Sequence, residues 1–317
     1  RLGSELKALT RSIDDIDVII TATFVSMYGE YQSGRMDGLL NRAQRIIDLC
    51  AGDTDRGTRF TRSPLVPAIT LRGIARSAMG IAGWREDLTE TSRLAVGGEP
   101  AAVATALAYK HIFGLGGGLV IPDTAVVDET AGLLDVAERF GDDFALSTAR
   151  LTHGFVLTFL DGSLRDEGYD LLEQACAAAA EDRFMTAAEP TAGHRRARRL
   201  LDTGDVAGAL ELARAKMEFG FAAGDMITLY PSTSIFVEAL VLRCQDGDLE
   251  EAAVVIDRLA GISQGHTYQE LPLLRMHALL ADARGDRGRY RDLRDRYRNM
   301  ATELGFQGHM AMAAALP

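Results

Sequence analysis

The sequence predicts an all-α fold, an α-solenoid of about seven helix pairs that forms one continuous domain over residues 1–317. Three observations lead to this prediction. A Gly-Asp turn recurs at Gly204, Gly247 and Gly285, and at the first two it opens an alanine-rich run with helical periodicity. Alanine and leucine are abundant while β-branched runs are short, which favours helix over strand. Only eight prolines occur in 317 residues, so long helices can continue.

Each repeat unit is predicted to be a helix, a tight turn and a second helix. Glycine ends the first helix in a left-handed conformation, and the next aspartate, as at Asp205, Asp248 and Asp286, caps the second helix. Similar turns stand at Gly34 and Gly162. One pair cannot bury its own apolar face, so neighbouring pairs must stack.

Proline and glycine signals place the remaining helices in chain order. Pro64, Pro100 and Pro122 stand near helix starts, where proline is tolerated. The predicted segments are 64–80, 84–96, 100–115, 122–140, 142 onward and 164–182, followed by the runs 195–201, 235–244 and 271–283 that precede the Gly-Asp turns. Together they give roughly fourteen helices. Their period and turn chemistry resemble tetratricopeptide repeats, with longer and more degenerate units; a bundle of unrelated helices is the alternative.

Composition argues against several function classes. The net charge of −11 gives a surface that repels phosphate backbones, so no nucleic-acid binding is expected. No apolar stretch approaches the ~20 residues that span a bilayer, so a cytoplasmic protein without membrane contact is predicted. Cys50, Cys176 and Cys244 lie far apart and lack metal-binding spacing.

No catalytic residue, metal site or cofactor is predicted, and the segment is not expected to be an enzyme. The P-loop pattern is absent, and the glycine cluster at Gly114 lacks the spacing of a dinucleotide site. His153 has apolar helical neighbours and is interpreted as a hydrogen-bonded core histidine. Arg195, Arg198 and Arg199 share one helix face, which is interpreted as solvent-exposed.

Two short stretches are the candidate sites for a ligand or partner. The only tryptophan, Trp84, and its neighbour Arg85 open a helix, and a lone tryptophan can anchor a partner. Tyr109, Lys110 and His111 stand together just before the glycine cluster. For both stretches the alternative is structural: core packing for Trp84 and an exposed helix flank for the second stretch.

Three stretches carry a resemblance that covers nearly the whole chain: "AITLRGIARSAMGIAGWREDL" from Ala68, "ERFGDDFALSTARLTHGFVL" from Glu138, and "YRDLRDRYRNMATELGFQGHMAMAAALP" from Tyr290. They resemble the C-terminal helical-repeat region of actinobacterial, especially mycobacterial, adenylate cyclase-like proteins. In those proteins a class III cyclase domain comes first and a P-loop signalling ATPase module follows.

This resemblance implies that the chain is the C-terminal part of a longer protein in cAMP signalling. Its role would be that of a sensor or docking arm whose partners are the upstream ATPase and cyclase domains in cis. A protein, peptide or small inducer would bind in the concave groove. The alternatives are a stand-alone helical-repeat enzyme with an active site in the groove, and a transcription regulator.

Overall fold

A computed structural model describes residues 15–182 and 188–316 of the chain. Within these residues the backbone forms fifteen α-helices and no β-strand, which confirms the predicted all-α class. In chain order the helices are α1 Ile16–Gln32, α2 Met36–Cys50, α3 Leu65–Met79, α4 Trp84–Ala95, α5 Pro100–Gly116, α6 Thr124–Phe140, α7 Asp143–Leu157, α8 Ser163–Asp182, α9 Ala188–Asp202, α10 Val206–Ala223, α11 Met226–Arg243, α12 Asp248–Ala260, α13 Thr267–Ala283, α14 Arg287–Leu304 and α15 Gln307–Ala314.

The first fourteen described helices form seven consecutive pairs, and the short α15 follows them. Helices α3 to α8 begin within two residues of their predicted starts. Helices α9, α11 and α13 begin earlier than predicted, at Ala188, Met226 and Thr267. In α11 and α13 the reason is a proline inside the helix, Pro231 and Pro272, which reads as a helix boundary in the sequence.

The turns between paired helices follow the predicted chemistry with one exception. The recurring glycines adopt positive φ, for example 87° at Gly204 and 73° at Gly285. The carboxylates of Asp205 and Asp286 cap their helices: each accepts a hydrogen bond from the backbone N–H three residues later, that of Gly208 and of Arg289. The prediction for Asp248 is wrong: Gly247 is the cap residue, and the Asp248 carboxylate instead accepts two hydrogen bonds from the Arg243 guanidinium at the end of the preceding helix.

The helix pairs form two layers that close into a ring. Each of the inner helices contacts the next inner helix, and the last one packs against the first; in order they are α3, α5, α7, α9, α11 and α13. The outer helices α4, α6, α8, α10 and α12 each pack between two consecutive inner helices. Neighbouring pairs are in contact, and the contact between the last and first inner helices means that the array is not the open concave groove that the sequence predicts.

A set of contacts that we term the seam joins the two ends of this ring. The Thr267 hydroxyl donates to the Ala78 carbonyl at 2.7 Å. The backbone N–H groups of Gln307 and His309 donate to the carbonyls of Leu119 and Gly118, both at 3.0 Å. These contacts connect α13 to the last turn of α3, and α15 to the loop that follows α5, so the ring encloses a central space.

Helices α7 and α8 cross at two glycines. A methyl group built on Gly168 would lie 2.8 Å from the Gly154 carbonyl oxygen and 2.8 Å from the Thr158 backbone nitrogen. Both obstructing atoms belong to the backbone, which cannot move away without shifting α7. The crossing therefore requires glycine at this position, although glycine weakens an isolated helix.

We expect the substitution Gly168→Ala to lower the free energy of unfolding by about 1–3 kcal/mol, because the new methyl group overpacks the crossing. Gly132→Ala is the matched control: Gly132 is also in the middle of a helix, α6, but nothing lies within 4 Å of the added methyl group. We expect it to stabilise the protein by about 0.4–1 kcal/mol. Urea unfolding followed by circular dichroism measures both, and equal effects of the two substitutions would contradict the close crossing.

Candidate functional site

The ring encloses a central cavity of about 680 Å³. Five inner helices contribute to its wall, namely α5, α7, α9, α11 and α13, together with the C-terminal half of α1 and two residues of α15. This volume lies in the range of cavities that bury a drug-sized or metabolite-sized molecule. The cavity is therefore the candidate functional site.

Aromatic side chains form much of the cavity wall. Tyr31 of α1 packs edge-on against Tyr109 of α5, with ring centroids 4.9 Å apart. Phe113 of α5 approaches Tyr268 of α13 at 6.1 Å, and Tyr268 meets Tyr230 of α11 at 5.8 Å. Burial raises the pKa of Tyr31, Tyr109 and Tyr268 well above the usual value, so their hydroxyl groups stay neutral. This part of the wall offers flat apolar surfaces edged by neutral hydroxyl groups.

Prolines on the inner helices also face the cavity. Pro231 in α11 and Pro272 in α13 both line it. Because proline lacks an N–H, the carbonyls of Ile227 and Tyr268, four residues earlier, lose their usual helical donor. Both of those residues line the cavity as well. The two prolines thus interrupt the helical hydrogen bonding of residues in the wall.

Two of the three arginines in the wall share one carboxylate behind them. Arg198 donates to both oxygens of Glu238, at 3.0 and 2.9 Å, and Arg275 donates to one of them at 3.0 Å. Burial opposes the ionisation of Glu238, but its hydrogen bonds and ion pairs with the two arginines outweigh burial and lower its pKa to about 2. Glu238 therefore fixes both guanidinium groups in place.

Arg195 is held differently. Its Nε donates to the Thr158 hydroxyl at 2.9 Å, its Nη2 donates to the Thr158 carbonyl at 2.8 Å, and its guanidinium lies 3.8 Å from the centre of the Phe159 ring. Among the described residues no carboxylate forms an ion pair with it. Burial lowers its pKa only to about 10, so Arg195 remains charged at neutral pH.

The prediction that this arginine face is solvent-exposed is wrong for Arg195 and Arg198, which line the cavity, and holds for the exposed Arg199. The periodicity does identify a shared face correctly. It cannot tell whether that face points to bulk solvent or to the inside of a ring, because ring closure depends on contacts between residues far apart in the sequence.

Two histidines in the wall are held neutral. Burial, together with the neighbouring Arg195, lowers the pKa of His194 to about 3. Burial lowers the pKa of His309 to about 4, and its Nδ1 lies 2.8 Å from the Tyr297 hydroxyl. His153 is the hydrogen-bonded core histidine that the sequence predicts, with Nδ1 2.9 Å from the Thr130 hydroxyl. In the described ranges no three metal-ligating side chains lie close enough together to hold a metal ion.

The five residues singled out in the sequence lie in three different places. Tyr109 lines the cavity. Lys110 and His111 point away from it and both contact the Glu129 carboxylate at 2.6 Å. Trp84 packs on Phe306 with ring centroids 5.8 Å apart, and Arg85 stacks on Trp84 and donates to the Gly305 carbonyl at 2.8 Å. The structure thus brings only Tyr109 of this set to the cavity, while a binding role for the other four stays a prediction.

Comparison with known proteins does not assign the chain to a family. No protein-family model matches it, and no curated protein sequence matches it. The resemblance to the helical tails of cyclase-like proteins therefore stays a prediction. In the described part of the chain, every helix is too short or too polar to cross a lipid bilayer.

We expect Glu238→Gln to destabilise the protein by about 2–3 kcal/mol at pH 7, because two arginines lose their shared charge partner. The pKa of Glu238 is lower in the folded chain than its usual value of 4.5, so the stability that it contributes is complete above that value and decreases as the pH falls towards 2. The difference between wild type and variant should therefore shrink by about 1.4 kcal/mol for each pH unit below 4.5.

Urea unfolding at several pH values between 3 and 7 measures this difference. Glu211→Gln, an exposed position on α10, serves as the control and should change stability little at any pH. A difference between Glu238→Gln and wild type that stays constant down to pH 3 would show that the carboxylate charge is not what stabilises this region.

Proposed function

We propose that this chain is a sensor domain that binds a small amphipathic molecule in its central cavity and regulates the signalling protein to which it belongs. The observation that carries the proposal is the cavity itself, about 680 Å³ in volume, lined by residues of five inner helices and rich in aromatic side chains. A structural repeat array needs no such space, because close packing of its inner helices would be more stable. An amphipathic molecule suits a wall that is largely apolar and carries a few fixed polar groups.

The position of the cavity supports a regulatory role. His309 and Met312 line it and belong to α15, which is part of the seam, and Gly118 lines it from the other side of the same seam. A bound molecule would contact both ends of the array. If its affinity differs between the closed ring and a state with the seam opened, binding shifts the population between the two states.

Binding accounts for the polar groups of the wall better than catalysis does. The one carboxylate among the described lining residues, Asp225, accepts hydrogen bonds from the backbone N–H of Ile227 and from the Thr228 hydroxyl, which commits it to capping α11. The two lining histidines are neutral. A stand-alone enzyme needs at least two titratable groups that converge on a substrate.

We expect Ala108→Phe to reduce the binding of any cavity ligand by at least about tenfold, because Ala108 lines the cavity and a phenyl ring would occupy part of its volume. Equilibrium dialysis of the protein against a library of amphipathic acids and amides of 10–16 heavy atoms, read by mass spectrometry, detects retained compounds. Ala177→Phe, on the exposed side of α8, is the control and should retain the same compounds as the wild type.

Two results would contradict cavity binding. One is that the wild-type protein retains none of the compounds. The other is that Ala108→Phe and Ala177→Phe retain them equally well, which would place binding on the outer surface. Circular dichroism of both variants verifies that loss of binding does not come from loss of folding.

The signalling context rests on the resemblance to the tails of adenylate cyclase-like proteins. We expect the reading frame that precedes Arg1 in the gene to encode a P-loop ATPase module, and before it a class III cyclase domain. These domains would be the partners of this chain in cis, and the ligand would bias their activity. Sequencing the gene upstream tests this directly, and a different or absent upstream domain would separate the cavity from cyclase signalling.

A further inference from the structure

We infer that the cavity ligand carries one anionic group, a carboxylate or phosphate, that binds to Arg195, and an apolar body that lies along the aromatic wall. The inference rests on the proposed function, since it assumes that the cavity binds a small molecule. It adds the chemical class of that molecule and the residue that recognises its charge.

The hydrogen bonds of Arg195 leave one edge of its guanidinium available. The N–H groups of Nε and Nη2 point from the same edge of the planar guanidinium, and both donate to Thr158, which occupies that edge. The remaining N–H groups, on Nη1 and Nη2, form the parallel pair at the end of the side chain. This pair matches the two oxygens of a carboxylate or phosphate. The Phe159 ring stacks against the guanidinium and fixes the orientation of its plane. The pair of N–H groups, which we term the fork, is therefore oriented before any ligand binds.

Arg195 is distinguished from the other arginines of the wall by its charge balance. Arg198 and Arg275 share Glu238, and Arg198 also pairs with Asp202 at 3.7 Å, so two carboxylates compensate their two charges within the protein. Arg195 retains a positive charge that no described carboxylate pairs with, in a half-buried position facing the cavity. A group of this kind attracts a single negative charge far more strongly than solvent-exposed lysines and arginines do.

The surroundings of Arg195 determine the rest of the ligand. Phe144, Leu151 and Phe159 line the cavity on α7 and just after it, and Phe219 lines it at the end of α10. The adjacent His194 is neutral and cannot bind a second negative charge strongly. A molecule with one anionic group and an apolar or aromatic body therefore fits this region, whereas a polyphosphate or a sugar does not.

Matched probes that differ only in charge test the inference. The pairs are 2-naphthylacetate with 2-naphthylacetamide, 4-phenylbutyrate with 4-phenylbutyramide, and decanoate with decanamide, and 2-naphthyl phosphate extends the first pair to phosphate. Isothermal titration calorimetry with the wild-type chain should give affinities about 10–100-fold higher for the acids than for their amides. Comparison of 2-naphthylacetate with 2-naphthyl phosphate then shows which anion the fork prefers.

Variants assign the preference to Arg195. Arg195→Gln should reduce the acid-to-amide ratio to about one, and Arg195→Lys, which keeps the charge but not the fork, should leave an intermediate ratio. Arg199→Gln is the control, because Arg199 lies on the same helix but is exposed and pairs with Asp166. Thr158→Val removes one of the bonds that orient Arg195 and should lower the ratio several-fold while leaving the charge, so the test survives if Arg195→Gln does not fold.

The outcomes separate the two proposals. If amides bind as well as acids and Ala108→Phe still abolishes binding, the cavity binds ligands but the anionic class is wrong. If acids are preferred equally in wild type and in a folded Arg195→Gln or Thr158→Val variant, Arg195 is not the recognising group. If neither acids nor amides bind to the wild-type protein, the ligand-binding function itself is contradicted.

Discussion

The structure depends above all on the seam, where the last helices of the array pack against the first. Without it the stacked helix pairs would form an open curve, and the inner face would be in contact with bulk solvent. The seam combines ring packing of Trp84 on Phe306 with backbone hydrogen bonds from Gln307 and His309 to the loop after α5. Closure reduces the contact of the inner face with bulk water, which strengthens the charge interactions there. Burial in this region lowers the pKa of His194 and His309, whereas the low pKa of Glu238 comes from its hydrogen bonds and ion pairs with Arg198 and Arg275, which outweigh the opposing effect of burial.

Because the inner face is enclosed, the stability of the protein depends on how each buried charge there is paired. A buried ion pair contributes little net stability, but removing one partner is costly because the other is left uncompensated. Arg198 and Arg275 are paired in this way, because Glu238 lies between them and accepts hydrogen bonds from both. In the part of the chain that the structure describes, Arg195 has no such carboxylate partner. It contacts the hydroxyl and carbonyl of Thr158 and the aromatic face of Phe159. Residues that depart from the stabilising pattern of their neighbours tend to mark sites kept for function.

The sequence predicts the local features of this protein well and its long-range features poorly. The all-α class, the seven pairs, the positive-φ glycine turns and the caps at Asp205 and Asp286 depend on residues within a few positions of one another, and all are confirmed. Ring closure depends on contacts between residues some 190 positions apart, such as Thr267 with Ala78, and no periodicity reports them. For the same reason the cavity was not predictable: of the five residues singled out only Tyr109 lines it, whereas Tyr31 and Tyr268 were missed. Pro231 and Pro272 also line the cavity, but in the sequence a proline indicates only a break in helical hydrogen bonding.

Under the proposed function, the seam would couple occupancy of the cavity to closure of the ring. At Gly118, with φ of 67°, a side chain would collide with the His309 ring, and at Gly34, with φ of 68°, one would collide with Tyr268. These two close approaches lie where α15 meets the loop after α5 and where α13 meets the turn between α1 and α2, and His309 and Tyr268 both line the cavity. The residues that close the ring are thus among those that a bound molecule would touch. Any ligand that packs better against them in the closed ring must stabilise closure, and closure must raise its affinity by the same factor. Coupling of this kind requires no separate signalling pathway through the helices, because one set of side chains belongs to both the cavity wall and the seam.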